Sequence, residues 1–228
     1  MEGFEYIKSN YESLLTEIRA LSAKVGREVT LVAVTKSGSD AELLALAEAG
    51  VADIGENRPG ELRRRGDLLR ESGYSPRLHE IGNLQRNKVK LIIRDVSLIH
   101  SLDSLALARE IDKQAESVGR VVPVLVEINS AREEQKGGIL PEDAESFLLA
   151  LKELSHIKVL GLMTMGPVCD DPEELRPYFR LTKELFDRLN KMFDSDDAIL
   201  SMGMSDSYAV AIEEGSTMVR VGRRLFNR

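Results

Sequence analysis

The chain has 228 residues, a formal net charge of -7, 43% hydrophobic residues and a single cysteine. This length fits one large domain, the negative charge argues against a large nucleic-acid interface, and one cysteine cannot form a disulfide within the chain. No apolar run approaches the roughly 20 residues of a membrane helix, and the acidic start MEGFEY lacks the layout of a signal peptide. We therefore expect a cytoplasmic protein that binds neither a membrane nor nucleic acid.

The first half of the chain alternates short apolar runs with amphipathic segments. Apolar residues at helical spacing predict a helix over 3–24, and Ser39 and Asp40 cap a helix that Gly50 ends. Strands are predicted over 29–35, 51–55, 78–82 and 98–101, with further helices over 58–72 and 88–96. Strands that alternate with helices indicate a parallel sheet.

The second half repeats this alternation. Strands are predicted over 121–129, 159–163, 198–202 and 218–221, and helices over 103–118, from Pro141 onward, 173–192 and 207–214. Eight strands predict a single-domain (β/α)8 TIM barrel over residues 1–228. The last strand lacks the usual helix after it, and we expect the extra N-terminal helix to cover that gap. An open doubly wound sheet is the alternative, weakened because no Gly-x-Gly-x-x-Gly follows the first strand.

Lys36 follows the first predicted strand, so it falls at the barrel end where this fold carries its active sites. An amine must be unprotonated to attack an aldehyde, and burial between apolar strands beside a cation such as Arg220 favours that form. The alternative is a lysine that ends a strand and meets solvent.

The residues after the seventh and eighth strands resemble a phosphate site. Barrels commonly bind phosphate with these two loops and a helix N-terminus. Ser201 and Ser205 offer hydroxyls, Gly203 permits close backbone approach, and Gly222 with the Arg223 amide would close the cradle. A serine N-cap followed by a turn glycine would give the same pattern.

Arg220 lies inside the last predicted strand, where an arginine is costly unless it has a partner. A permanent cation beside a pyridine nitrogen keeps that nitrogen unprotonated, which makes the ring a weak electron sink. An ion pair across the barrel is the alternative. Together with Lys36 and the phosphate cradle, Arg220 predicts a site for lysine-bound pyridoxal phosphate (PLP).

Other candidates carry less information. Asn57 would either bond the ring hydroxyl region or cap the next helix, His79 is more simply explained as a satisfied interior histidine, and Met163 as apolar filling. Lys136 is interpreted as a mobile loop lysine, with a secondary role in handing on or receiving an aldehyde as the alternative. The arginines at 63–65 are interpreted as a solvated helix face or a loop anchor, with a phosphate-binding patch as the alternative.

Several motifs in one order resemble the YggS/PROSC family of pyridoxal phosphate homeostasis proteins over nearly the whole chain. They are AVTK at 33–36, GEN at 55–57, HEIGNLQRNK at 79–88, IHSLD at 99–103, GLMTM at 161–165, LSMGMSD at 200–206 and EGSTMVRVG at 214–222. The chain departs from the family at Leu78, often tryptophan there, at Asn83, commonly histidine, and at Arg223-Arg224, which replace small residues and add charge beside the phosphate.

The resemblance implies an alanine racemase N-terminal-domain-like barrel that holds pyridoxal 5'-phosphate as a Schiff base on Lys36. It implies Ser201 and the Gly222 region at the phosphate and Arg220 at the ring nitrogen. The implied role is to bind, buffer and deliver the cofactor, with PLP-dependent apo-enzymes as recipients and without established catalytic turnover.

Two other functions are open. A PLP-dependent amino-acid racemase needs a second acid–base group, typically a tyrosine from another domain, and the five tyrosines are not obviously placed at strand ends. A barrel scaffold without a cofactor predicts that Lys36 is dispensable. We favour a monomeric carrier. The recipient enzymes and the directness of transfer are not decided by the sequence.

Overall fold

The computed structural model describes residues 3–133, 135 and 137–227, which form a closed barrel of eight parallel strands paired in chain order. The strands are β1 Thr30–Val34, β2 Asp53–Glu56, β3 Arg77–Glu80, β4 Leu98–Leu102, β5 Val122–Glu127, β6 Ile157–Met163, β7 Ile199–Ser201 and β8 Met218–Val221. Because β1 pairs with β8, the ring is complete. The predicted (β/α)8 barrel is confirmed and the open sheet is wrong.

Helices surround the barrel. In the described residues they are α1 Glu5–Val25, α2 Asp40–Glu48, α3 Pro59–Glu71, α4 Val89–Ile92, α5 Leu105–Ser117, α6 Ala144–Leu151, α7 Arg176–Leu189, α8 Tyr208–Glu213 and α9 Arg223–Phe226. The predicted helix over 88–96 is shorter, because α4 ends at Ile92 and the chain continues as a turn over 93–95. Pro141 stands in a turn ahead of α6. None of the helices described here has the length and apolarity to span a bilayer.

The N-terminal helix α1 closes the outer layer beside the last strand. It packs against α2, α8 and the one-turn helix α9. Glu17 accepts from both terminal nitrogens of Arg224, and Asn10 Nδ2 donates to the carbonyl oxygens of Leu225 and Asn227. The predicted covering role of α1 is confirmed, whereas α9 is an element that the sequence pattern did not indicate.

Alternation along the strands separates two apolar compartments. Val32, Leu98, Leu125, Met163 and Met218 form a cluster inside the barrel, and a larger core lies between the strands and the helices. Interior positions are polar above this cluster. The predicted site residues gather above this cluster, at the carboxyl ends of the strands.

Candidate cofactor site

A cavity of about 520 Å³ opens at the carboxyl ends of the strands. It brings together six of the ten predicted site residues: Lys36, Asn57, Ser205, Arg220, Gly222 and Arg223. They meet because parallel strands end on one face of a barrel. The other four, His79, Met163, Ser201 and Gly203, are not among the residues that line this cavity.

Lys36 lies two residues beyond the end of β1, and its side chain is solvent-exposed at the cavity wall. The expectation that this amine is buried between apolar strands is wrong. The strand ends at Val34, and the chain then turns through Gly38 toward α2, so Lys36 stands above the barrel rather than within it.

A buried arginine fixes the backbone on both sides of Lys36. Arg65 of α3 donates to the carbonyl oxygens of Thr35 and Gly38 and forms a 2.7 Å ion pair with the buried Glu56. Thr35 Oγ1 also donates to Glu56, at 2.5 Å. The interpretation as a loop anchor is confirmed for Arg65, whereas its neighbours at 63–64 are exposed.

Backbone amides converge on Ser205 at one end of the cavity. The N–H groups of Gly222 and Arg223 both donate to Ser205 Oγ, at 3.2 Å. A Cβ at Gly222 would lie 2.8 Å from the Val34 carbonyl oxygen, so a larger residue would push β8 away from β1. A hydroxyl and successive amides are donors that suit an anion such as a phosphate monoester.

The two arginines that depart from the family pattern are both paired. The Arg223 guanidinium forms an ion pair with Asp206 at the rim. Arg224 turns the other way, binds Glu17 of α1 and lies over the Tyr208 ring with its carbon Cζ 5.6 Å from the centroid. The extra charge expected beside the phosphate loop is therefore offset at Arg223 and directed elsewhere at Arg224.

Gly203 lies behind the loop that carries Ser205. Its φ is +95°, and a Cβ would stand 2.6 Å from the Ala211 Cβ. The left-handed conformation and the close contact both favour glycine. The close approach predicted at this position is thus an approach to α8.

Arg220 is 4% exposed and reaches the cavity from inside the barrel. One terminal nitrogen donates to Ser201 Oγ at 2.6 Å, and the other donates to the Thr164 carbonyl oxygen at 3.1 Å. Burial lowers the pKa of Arg220 to about 10, against the opposing charge of Glu127, so the side chain is a cation at neutral pH. In the described part of the chain no carboxylate forms an ion pair with it, unlike the alternative weighed from the sequence.

Buried polar groups continue from Arg220 down the barrel interior. Ser201 Oγ is 3.0 Å from His100 Nδ1, His100 Nε2 is 2.9 Å from His79 Nδ1, and His79 Nε2 is 2.9 Å from Asp53 Oδ1. The simpler explanation of His79 as a satisfied interior histidine agrees with these contacts.

Sequence reasoning missed Asp53, His100 and Thr164 as partners in this interior. His79 and His100 lie in the adjacent strands β3 and β4, but the sequence pattern does not show that their rings meet. It also missed the segment 165–170, which forms one wall of the cavity. Lys136, proposed as a second aldehyde carrier, lies outside the described residues.

Asn57 presents a hydrogen-bond acceptor that no described group uses. Its Oδ1 is buried without a partner, and the residue lines the cavity. A buried polar atom without a partner is costly, so a ligand donor at this position would satisfy it. Within the described residues, no three His, Cys, Asp or Glu side chains are grouped as metal ligands.

Known proteins are similar to this chain in sequence and in fold. The family model of the alanine racemase N-terminal domain matches residues 9–227. A pyridoxal phosphate homeostasis protein of Aquifex aeolicus is 45% identical over 177 residues, which cover 78% of this chain and 77% of the relative. One from Helicobacter pylori is 34% identical, with coverage of 96% and 97%. The structure of PipY from Synechococcus elongatus PCC7942 with PLP bound has a TM-score of 0.84 and 28% identity, and the match covers 97% of this chain and 100% of PipY.

Proposed function

We propose, from the premise that this chain belongs to the family of pyridoxal phosphate homeostasis proteins, that it binds pyridoxal 5'-phosphate at the mouth of its barrel. It buffers the cofactor in the cytoplasm and delivers it to apo-enzymes. The observation that carries the proposal is the cavity that unites an amine, a buried guanidinium and a set of anion donors. The PLP-bound PipY structure supports it.

Each chemical group of the cofactor has a counterpart in the cavity. Lys36 supplies the amine for a Schiff base, and Ser205 with the amides of Gly222 and Arg223 receives the phosphate. Arg220 serves the ring nitrogen, and Asn57 Oδ1 accepts a hydrogen bond from the ring hydroxyl. Bound PLP supplies an electrophilic aldehyde on an electron-withdrawing ring.

Arg220 suits storage better than catalysis. A guanidinium cannot give up its proton readily, so it holds a pyridine nitrogen in the unprotonated form. A ring in that form stabilises a substrate carbanion poorly. The cavity mouth also carries the exposed apolar residues Met165, Val168 and Met204. An open mouth lets a cofactor leave, whereas carbanion chemistry benefits from exclusion of water.

The absorbance spectrum tests the proposal. Wild-type protein mixed with PLP should give a visible Schiff-base band, and borohydride should fix the cofactor on the peptide that contains Lys36. Lys36→Ala should lose both the band and the label. Lys24→Ala, which removes an exposed lysine of α1, is the matched control and should keep both. A wild-type protein without a band would overturn the proposal in favour of a scaffold.

Turnover separates a carrier from the alternative, an amino-acid racemase. All five tyrosines lie in the described part of the chain, and none lines the cavity, so a tyrosine on the opposite face of a substrate has no support. We expect the PLP-loaded protein to leave L-alanine unracemised over hours, as measured by chiral chromatography. Turnover lost in Lys36→Ala would establish the enzyme instead.

Delivery is tested by mixing loaded protein with an apo-aminotransferase and following its activity. A phosphatase that destroys free PLP distinguishes the two routes. Direct transfer should survive the phosphatase, whereas release into solution should not.

We also propose a monomer, because the cavity is built by one chain. Light scattering of the loaded protein should then give a mass near 25.4 kDa.

A further inference from the structure

Five buried polar side chains cross the barrel from its amino end to the cavity. Asp53, His79, His100, Ser201 and Arg220 are each at most 4% exposed, and each is within hydrogen-bond distance of the next. Polar groups in such an interior are costly unless every donor and acceptor is matched. This requirement determines which atom of each hydrogen-bonded pair carries the hydrogen.

The Asp53 end fixes the tautomers of both histidines. Burial acts to raise the pKa of Asp53, but the hydrogen bonds from His79 and Arg77 outweigh it, and the net pKa is below its usual value. The carboxylate only accepts, so His79 Nε2 carries a hydrogen. In a neutral His79 ring Nδ1 then accepts, which requires a hydrogen on His100 Nε2.

The Arg220 end gives the same direction independently. Burial holds the pKa of His100 well below its usual value, and the charge of Arg220 acts in the same direction, so this ring is neutral. Arg220 cannot accept a hydrogen bond, so among the described contacts of Ser201 the acceptor for its hydroxyl hydrogen is His100 Nδ1. Ser201 Oγ in turn accepts from Arg220, which can only donate. The hydrogens thus run one way, from Arg220 through Ser201, His100 and His79 to Asp53.

The opposite arrangement would leave a buried hydrogen without an acceptor. A cationic His79 would donate from Nδ1 and force His100 to donate to Ser201. The serine oxygen would then receive two donors, and its own hydrogen would have no partner among the described residues. Charged groups surround both ends of this chain of hydrogen bonds. At the amino end of the barrel, Arg77 forms an ion pair with Asp53, and Glu28 and Asp197 line the same cavity. At the other end, the charge of Glu127 acts on Arg220.

We propose that His79 and His100 are positioning residues that act through Ser201 to hold the Arg220 guanidinium in place beside the cofactor ring, an inference that rests on the proposed site for PLP. The Ser201 hydroxyl hydrogen is committed to His100, so Ser201 supports Arg220 and does not donate to the phosphate. The Arg220 cation is thereby linked, through the hydrogen-bonded chain, to the Asp53 carboxylate at the amino end of the barrel.

Nitrogen-15 NMR of the imidazole rings tests the hydrogen assignment without any cofactor. The chain has only three histidines, and His156→Gln identifies the signals of the third, which lies outside the interior. At pH 7.5 we expect both His79 and His100 to be neutral and protonated at Nε2, with or without PLP. A cationic ring, or a hydrogen on Nδ1 of either residue, would overturn the proposal.

Two substitutions at His100 then test the link between the hydrogen-bonded chain and cofactor binding. His100→Asn keeps an acceptor near the place of Nδ1, whereas His100→Leu removes it and fills the space with an apolar side chain. A buried hydroxyl left without its acceptor corresponds to about a tenfold change in an equilibrium constant or more. We expect equilibrium dialysis to show PLP binding at least about tenfold weaker for His100→Leu and within about threefold of wild type for His100→Asn.

A purely structural role for His100 predicts a different result. Leucine would then leave PLP affinity and the visible spectrum unchanged, which would refute the positioning role. If His100→Leu does not fold, Ser201→Ala removes only the hydroxyl and should weaken binding to a similar extent, and unchanged binding in that variant would equally refute it. If wild-type protein binds no PLP, the proposed function fails, while the NMR result still decides the direction of the chain.

Discussion

Gly161 shows how one residue controls the packing of two strands. Its φ is +150°, and a Cβ would lie 2.0 Å from the Ile199 carbonyl oxygen of β7. The register between β5 and β6 also shifts here. Val124 pairs with Val159 and the next residue, Leu125, pairs with Gly161, so β6 has one extra residue at this point. A residue inserted in one strand bends it and increases its twist. Glycine is therefore required where the bulged strand meets its neighbour.

We expect Gly161→Ala to lower the free energy of unfolding by more than about 3 kcal/mol, since strained backbone and overpacking act together. Gly60→Ala is the matched control. Gly60 lies in the first turn of α3, and a Cβ there would meet no neighbouring atom within 4 Å, so alanine should be neutral or stabilise by up to about 1 kcal/mol. Urea denaturation measures both variants. Equal stabilities would contradict this account of β6.

Glu80 is a second residue whose immediate surroundings affect the stability of the protein. Burial, together with the charge of Glu56, raises the pKa of Glu80 to about 8, against the hydrogen bond from the Gly82 amide. Its Oε2 has no partner in the described part of the chain. At neutral pH the folded protein therefore keeps a proton that the unfolded chain releases.

The sign of the pH effect follows from this difference in proton binding. Between about pH 4.5 and 8 Glu80 holds a proton in the native state that the unfolded chain has lost, so its contribution to the free energy of unfolding falls as pH rises, by about a few kcal/mol. Glu80→Gln should flatten this fall, whereas Glu71→Gln, at an exposed position, should not. Urea denaturation at pH 5 and pH 8.5 gives the comparison. An equal pH dependence in wild type and Glu80→Gln would contradict the assignment.

Between elements, the ion pair of Arg65 with Glu56 joins α3 to the ends of β1 and β2. Removing one member of a buried pair leaves an uncompensated charge, which costs about 3–5 kcal/mol. We therefore expect Arg65→Leu to lower the stability by that amount and to weaken PLP binding, because the backbone on both sides of Lys36 loses its donors.

Arg63→Leu serves as the control for this prediction, since Arg63 is exposed on the same helix. Its stability should stay within about 0.5 kcal/mol of wild type. If both variants lose equal stability in urea, the effect belongs to the helix surface and not to the buried pair.

The elements themselves were largely predictable, and their ends were not. Apolar runs such as those of β1 and β5 give a strong signal because both faces of these strands are buried. The end of β1 at Val34, two residues short of Lys36, depends on pairing with β2 and β8, which the local pattern does not contain. The helix α9 has only four residues and leaves no periodicity to detect.

Across the whole molecule, chain order predicted the gathering of six of the ten candidate residues at the mouth, because all parallel strands end there. Chain order did not predict how deep in the barrel each side chain lies. Ser201 and Ser205 are four residues apart, yet one is buried beneath Arg220 and the other lines the cavity. Depth depends on the tilt and stagger of strands in the closed barrel, and these are properties of the complete ring.

The seam between β1 and β8 has a consequence for synthesis on the ribosome. Thr30 pairs with Met218 and Ala33 with Val221, so one edge of the first strand cannot find its partner until nearly all of these 228 residues have emerged. Contacts this distant in sequence form slowly, and unpaired apolar edges favour aggregation. The nascent chain must therefore protect its first strand for most of translation, and the residues of β8 complete both the barrel and the cofactor site.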